Sequence, residues 1–198
     1  MDEKDILTRM ADEYEEPEGG DITYLVPECT ALVDCRGAKF VEAKQPNSWA
    51  EKHPGEAFVP YPQITFLAHI KEATNPAAVG ETIGIRLGIP PIGWNGMSDA
   101  GVKMARNATW TAIGAIVAPT AKGKEQVAAA KAALKTAGSA ADLINGKQAI
   151  VKFKTDSYQG KKNSKYNSWW GATPELIDSK VRKAPVVESP AEDSDTSV

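Results

Sequence analysis

The sequence predicts an α+β fold that is mainly β, with five strands and a helical insertion between the third and fourth strands. Several short segments alternate apolar and polar residues, which is the period of a half-buried strand. Residues 98–136 have instead the composition and the end signals of helices. The 198 residues are 42% apolar and 25% charged, which suits one domain with a buried core rather than a disordered chain.

The first predicted strand covers residues 29–43. Cys29, Ala31, Val33 and Cys35 alternate with polar or larger residues, and Gly37 then interrupts the run as a bulge or a tight bend would. The two cysteines fall on the same face, too far apart along one strand for an easy bridge. We therefore expect reduced thiols.

The second and third strands are predicted at residues 63–71 and 82–89. In the third strand Arg86 points away from its apolar neighbours, and Gly84 and Gly88 flank it without side chains that could obstruct a ligand. Arg86 is therefore a candidate ligand-binding residue, with an ordinary solvent-facing charge as the equal alternative.

A proline-rich loop at residues 45–62 joins the first two strands. It contains Trp49, which either clamps a base or, as we favour, anchors the loop to the body. Trp94 and Trp110 are predicted to be packing residues.

Two helices and a hairpin complete the fold. Ser98 is the predicted N-cap of a helix that runs to about residue 117, and an alanine-rich helix is predicted at residues 124–136, with Gly138 as its stop. A hairpin follows, with strands at residues 148–155 and 163–170. This element order is that of a five-stranded OB-like Greek-key barrel with its helices between strands 3 and 4.

The hairpin carries the strongest chemical signal. Residues 146–165 hold six lysines and one acid, and aromatic residues accompany them. Simple alternation would place Lys165, Asn167 and Trp169 on one face of the return strand and the other aromatic residues on the opposite face. Lysines neutralise phosphates and flat rings stack on bases, so the pattern indicates binding of single-stranded nucleic acid. The alternative is that the rings belong to the core and the lysines form a solvated edge. The candidate nucleic-acid-binding residues are Lys152, Lys154, Tyr158, Lys161, Lys162, Lys165, Tyr166, Trp169, Trp170 and Arg86.

The charges divide the chain into three parts. Residues 1–21 form an acidic arm of net charge −7, residues 184–198 form an acidic tail of net charge −4 that we expect to be disordered, and residues 22–183 form a nucleic-acid-binding domain of net charge +8. Acidic ends around a basic body either improve solubility alone or shield the body electrostatically.

Other function classes lack their signals. The N-terminus is acidic where a signal peptide needs a basic start, and no apolar run is long enough to cross a bilayer. No phosphate-binding loop or nucleophile elbow occurs, so we expect no enzyme. With only His53 and His69 and no Cys-x-x-Cys, we expect no metal and no cofactor.

The segment around the hairpin resembles a family of phage-encoded proteins found among replication and recombination functions. The resemblance rests on Asp142-Leu143 followed by Gly146-Lys147, a short strand, and Tyr158-x-Gly160-Lys161-x-Asn163 before a tryptophan-bearing strand, and it covers residues 98–175. Members are similar to OB-fold single-stranded-DNA-binding proteins.

The resemblance implies sequence-non-specific binding of single-stranded DNA in phage replication or recombination, in the host cytoplasm. An acidic tail would suit recruitment of a phage or host recombinase or polymerase, although this chain lacks the terminal aromatic residue of several such tails. The alternative is a virion or assembly protein that uses the barrel to bind other proteins. Homo-oligomerisation, DNA-over-RNA preference and site size are left open by the sequence.

Overall fold

The computed structural model describes residues 25–45, 49–88, 90, 98–158 and 161–183, and only the backbone of residues 50, 52, 156–158, 161–163 and 167. The predicted acidic arm, the acidic tail and Trp94 lie outside the described residues. The elements, in chain order, are β1 Cys29–Glu42, α1 Trp49–Lys52, β2 Pro62–Ala73, a 3₁₀ turn at Pro76–Ala78, β3 Thr82–Gly88, α2 Asp99–Val117, α3 Gly123–Thr136, α4 Ala140–Ile144, β4 Gln148–Tyr158, β5 Lys161–Gly171, α5 Pro174–Ile177 and a π-helical turn at Asp178–Arg182.

The five strands form one antiparallel sheet in the order β3-β2-β1-β4-β5, with β1 in the centre. Helices α2 to α4 lie in the connection between β3 and β4. The predicted α+β class and the helical insertion are therefore confirmed. The sheet is open, because β3 and β5 are both edge strands in the described part of the chain. The predicted closed barrel is not confirmed.

The long central strand β1 bends where the sequence predicts it. Gly37 has a φ of +60°, which a residue with a side chain rarely adopts, and the register with β2 shifts between Arg36 and Lys39. Cys29 and Cys35 are both buried and unbridged, as expected. Burial raises the pKa of the Cys29 thiol to about 11 and that of Cys35 to about 12, so both remain protonated and unreactive at neutral pH.

The core lies between the inner face of the sheet and the helices. Helix α2 begins at the predicted cap, where the Oγ of Ser98 accepts a hydrogen bond from the amide of Gly101 at 3.2 Å. Two glycines bring the backbones close: a Cβ at Gly114 would overlap the backbone of Gln126 on α3, and a Cβ at Gly171 on β5 would overlap Pro119. The largest fully buried side chains are Phe153, Ile70, Ile85, Ile113, Ile144, Ile150, Val26, Val33, Val102, Val151 and Cys35.

Part of the outer face of the sheet is covered by the C-terminal segment, α5 and the π-helical turn. Val181 packs on Leu32 and Ile150, which makes a second, smaller apolar cluster. Arg182 fixes the segment through two 2.7 Å hydrogen bonds to the carboxylate of Glu72 on β2. These charge-assisted bonds to Arg182 lower the pKa of the Glu72 carboxyl.

The tryptophan of the β1–β2 loop packs against other residues of the same loop. Trp49 is buried, stacks on His53 at 3.8 Å between ring centroids and meets Phe58 edge-on at 5.3 Å. Its Nε1 donates a hydrogen bond to the carbonyl of Glu56 at 3.1 Å. These three partners all belong to the loop itself, so the contacts hold the loop together, and anchoring of the loop to the body stays a prediction. In the described part of the chain, every helix is too short or too polar to cross a membrane.

The close approach of β5 to the end of α2 yields a stability prediction. We expect Gly171→Ala to lower the free energy of unfolding by about 1–3 kcal/mol, because the new methyl group must displace the Pro119 backbone. Gly84→Ala is the matched control: it lies on an edge strand with open space around the added carbon, and its effect should stay within about 0.5 kcal/mol. Urea denaturation measures both. Equal effects would show that the α2–β5 contact is loose.

Candidate nucleic-acid interface

The β4–β5 hairpin contains one extra residue that decides which side chains face outward. Trp169 lies opposite Val151, but Tyr166 lies opposite Phe153, so the register shifts by one residue at Asn167. Directly opposite residues share a face of the sheet. Because Val151 and Phe153 both point into the core, Tyr166 and Trp169 point there as well. The predicted separation of these two rings onto opposite faces is wrong, since alternation does not continue through a bulge.

The core position of the two rings limits what they can bind. Trp169 is only 7% exposed and contacts Phe66 and Tyr166, with ring centroids 6.3 and 6.0 Å away. Tyr166 is partly buried against the same cluster. Their positions favour the alternative that these rings belong to the core.

Trp170 has the opposite orientation. It lies opposite Ile150 on the outer face and is partly exposed. The Nζ of Lys180, on the π-helical turn, lies 4.2 Å from the centroid of its ring. One face of the indole is therefore covered by the Lys180 ammonium group. Lys180 is not among the residues predicted from the sequence.

The lysines of the hairpin point outward. Lys152, Lys154 and Lys165 are all exposed, and Lys154 lies directly opposite Lys165. Like charges directly opposite each other on a sheet are destabilising. This stretch of the outer face therefore concentrates positive charge on exposed side chains.

Two other cations on the outer face are paired with carboxylates. Arg182 pairs with Glu72 at 2.7 Å, and Lys71 lies 3.7 Å from the carboxylate of Asp34. The contrast is with Lys152, Lys154 and Arg86, to which no carboxylate of the described residues is paired.

Tyr166 connects the hairpin with Arg86. Its hydroxyl donates a hydrogen bond to the carbonyl of Arg86. This bond crosses the gap between the β5 and β3 edges of the sheet, which we call the seam. Burial raises the pKa of Tyr166, so the phenol keeps its proton and remains a donor. Lys165 and Arg86 therefore lie on either side of this contact. We name Lys152, Lys154, Lys165 and Arg86 the basic strip.

The remaining three predicted residues lie at the tip of the hairpin. The backbone register places Tyr158 opposite Lys161 and Ser157 opposite Lys162. Strands β4 and β5 thus continue beyond their predicted ends. The side chains of Tyr158, Lys161 and Lys162 lie outside the described residues.

A pocket of about 540 Å³ opens beside the basic strip, between the β3 and β5 edges. Tyr61, Gln63, Arg86 and Trp170 line it, together with small residues of α2. Four of its lining residues, Arg86, Tyr166, Trp169 and Trp170, are among the predicted binding residues. The pocket itself was not predicted, because it depends on how the two edges approach one another. Gly88, which flanks Arg86 in the sequence, also lines the pocket.

In the described part of the chain, no three His, Cys, Asp or Glu side chains come together as a metal site requires. A scan against protein-family models and a search of curated proteins found no match to this chain.

Proposed function

We propose that the protein binds single-stranded DNA without sequence preference, through the outer face of the β4–β5 hairpin. The observation that carries this proposal is the basic strip, in which Lys152, Lys154 and Arg86 are exposed and are paired with no carboxylate of the described residues. Lysine contacts to phosphates release counterions and carry no sequence information. The setting that we propose is phage replication or recombination in the host cytoplasm, with a recombinase or polymerase as the partner of the acidic tail.

The arrangement of the strands supports an OB-like fold for this function. The order β3-β2-β1-β4-β5, with helices between β3 and β4, is that of the five-stranded Greek-key barrel opened between its third and fifth strands. The Tyr166 contact bridges the same two strands. We propose that the sheet is such a barrel with an incompletely paired seam.

The start of the described chain supports shielding by the acidic arm. The amide of Val26 donates a hydrogen bond to the Oγ of Ser164 at 2.7 Å, and the carboxylate of Glu28 accepts one from the amide of Thr155 at 3.0 Å. Ser164 precedes Lys165, and Thr155 follows Lys154. A chain segment of five residue steps, such as that from position 21 to 26, spans at most about 18 Å. We therefore propose that the arm, with net charge −7, acts on the basic strip.

The proposal predicts a specific salt dependence. We expect the wild type to bind a labelled oligothymidine in an anisotropy titration, with an affinity that falls as salt rises. The double variant Lys152→Ala/Lys154→Ala should bind more weakly. It should also reduce the magnitude of the slope of log affinity against log salt by about 1.4, because each phosphate contact contributes roughly 0.7 on single strands.

The matched control is Lys124→Ala/Lys135→Ala, which removes the same charge from exposed positions of α3. It should leave the slope unchanged. Equal slopes for the two double variants would contradict a localised interface. Absence of binding by the wild type at about 20 mM salt, where screening is weak, would contradict DNA binding altogether. A discrete high-order oligomer would then favour the virion or assembly protein.

A second prediction concerns the arm. Deleting residues 1–21 should strengthen oligothymidine binding at about 50 mM salt by on the order of tenfold, because an anionic competitor is removed from the basic strip. The gain should shrink at high salt, where charges are screened. A full-length variant with the arm's nine carboxylates changed to amides should behave like the deletion. Unchanged affinity in both variants would leave the arm with a solubility role only.

A further inference from the structure

The pocket beside the basic strip lies where the β3 and β5 edges stay apart, next to the contact that Tyr166 makes between them. The hydroxyl of Tyr166 joins the two edges at the carbonyl of Arg86. Next to this contact, α2 presents small side chains to the gap, and Ala105 and Ala108 line the pocket. A larger residue at either position would occupy the volume that is now open.

The pocket walls are aromatic and held in place. On one side the ring of Tyr61 lies so close to Gly88 that a Cβ there would overlap it, and the Nε2 of Gln63 donates a hydrogen bond to the Tyr61 hydroxyl at 3.1 Å. The hydroxyl of Thr109 on α2 donates a 2.7 Å hydrogen bond to the carbonyl of Gly88, which fixes α2 to β3. On the β5 side, Trp170 lines the pocket. The walls are thus built before any ligand arrives.

The chemistry of the lining is that of a site for a flat ring attached to an anion. Arg86 stands at the pocket, and no carboxylate is present among the described residues that line it. Gln63 and Ser168 offer hydrogen-bonding groups in an otherwise mostly apolar lining. The volume of about 540 Å³ lies within the range of roughly 300–1,000 Å³ that small-molecule pockets have.

We infer that this pocket takes one nucleobase of the bound strand, turned away from the backbone, while Arg86 contacts the phosphate beside it. The inference rests on the proposed function and locates where a base, rather than the backbone, is recognised. The basic strip extends to the pocket across the Tyr166 contact. The bound DNA therefore reaches the pocket without leaving the cationic surface. An apolar peptide would leave the guanidinium of Arg86 without a partner.

The test is a pocket-filling variant, Ala108→Phe, measured on two ligands. One ligand is an oligothymidine, and the other is an oligomer of the same length composed of abasic sites. Ala108→Phe should weaken oligothymidine binding by about tenfold, the order expected for the loss of one stacked base. It should leave abasic binding and the salt slope unchanged, because no charge is removed. Ala132→Phe, the same change at an exposed position of α3, is the matched control and should alter neither ligand.

A smaller pocket-filling change, Ala105→Leu, provides a second variant in case Ala108→Phe fails to fold. Circular dichroism shows whether each variant is folded. Selective loss of oligothymidine binding in either folded variant supports the inference. Unchanged oligothymidine binding in folded variants, or equal weakening on both ligands, overturns it while the proposed function stands. Failure of the wild type to bind oligothymidine overturns the proposed function and the inference together.

Discussion

The extra residue at Asn167 in β5 is the constraint on which the rest of the proposed interface depends. With regular alternation, Trp169 and Lys165 would share a face, and either a charge would enter the core or a large ring would leave it. The register shift sends Tyr166 and Trp169 inward and keeps Lys165 outward, opposite Lys154. The same shift aims the Tyr166 hydroxyl across the seam at Arg86. Core packing, the basic strip and the contact between the two sheet edges therefore share one cause.

The seam between β3 and β5 joins stability to the proposed function. Exposed edges of a sheet invite pairing with other chains. In the described part of the chain, the β3 and β5 edges are joined by the Tyr166 side-chain contact and are not paired by a backbone ladder. Gly171 lets the end of α2 approach β5, whereas the small residues Ala105 and Ala108 leave a gap further along. The chain at the end of α2 therefore packs against β5, whereas the part of the helix around Ala105 and Ala108 leaves space for the pocket.

The elements with local signals could be predicted from the sequence. Alternation located all five strands, Ser98 marked the start of α2, and Gly37 marked the bend in β1. The shift at Asn167 could not be predicted, because an extra residue in one strand is defined only by its partner strand. The helix α5 in the C-terminal segment was not predicted, although Thr173 before Pro174 is a helix-start signal. In the structure the Thr173 hydroxyl accepts a hydrogen bond from the amide of Leu176 at 3.4 Å. Whether the sheet closes depends on long-range approach, which no local pattern reports.

Lysine protection mapped by mass spectrometry tests the central claim most directly. The full-length protein is acetylated under limiting conditions with and without saturating oligothymidine, and the modification of each lysine is compared. The account predicts protection of Lys152, Lys154 and Lys165, with Lys124 and Lys135 on α3 unchanged as internal controls. Protection of the helix lysines with the hairpin lysines still reactive would place the DNA elsewhere and contradict the account.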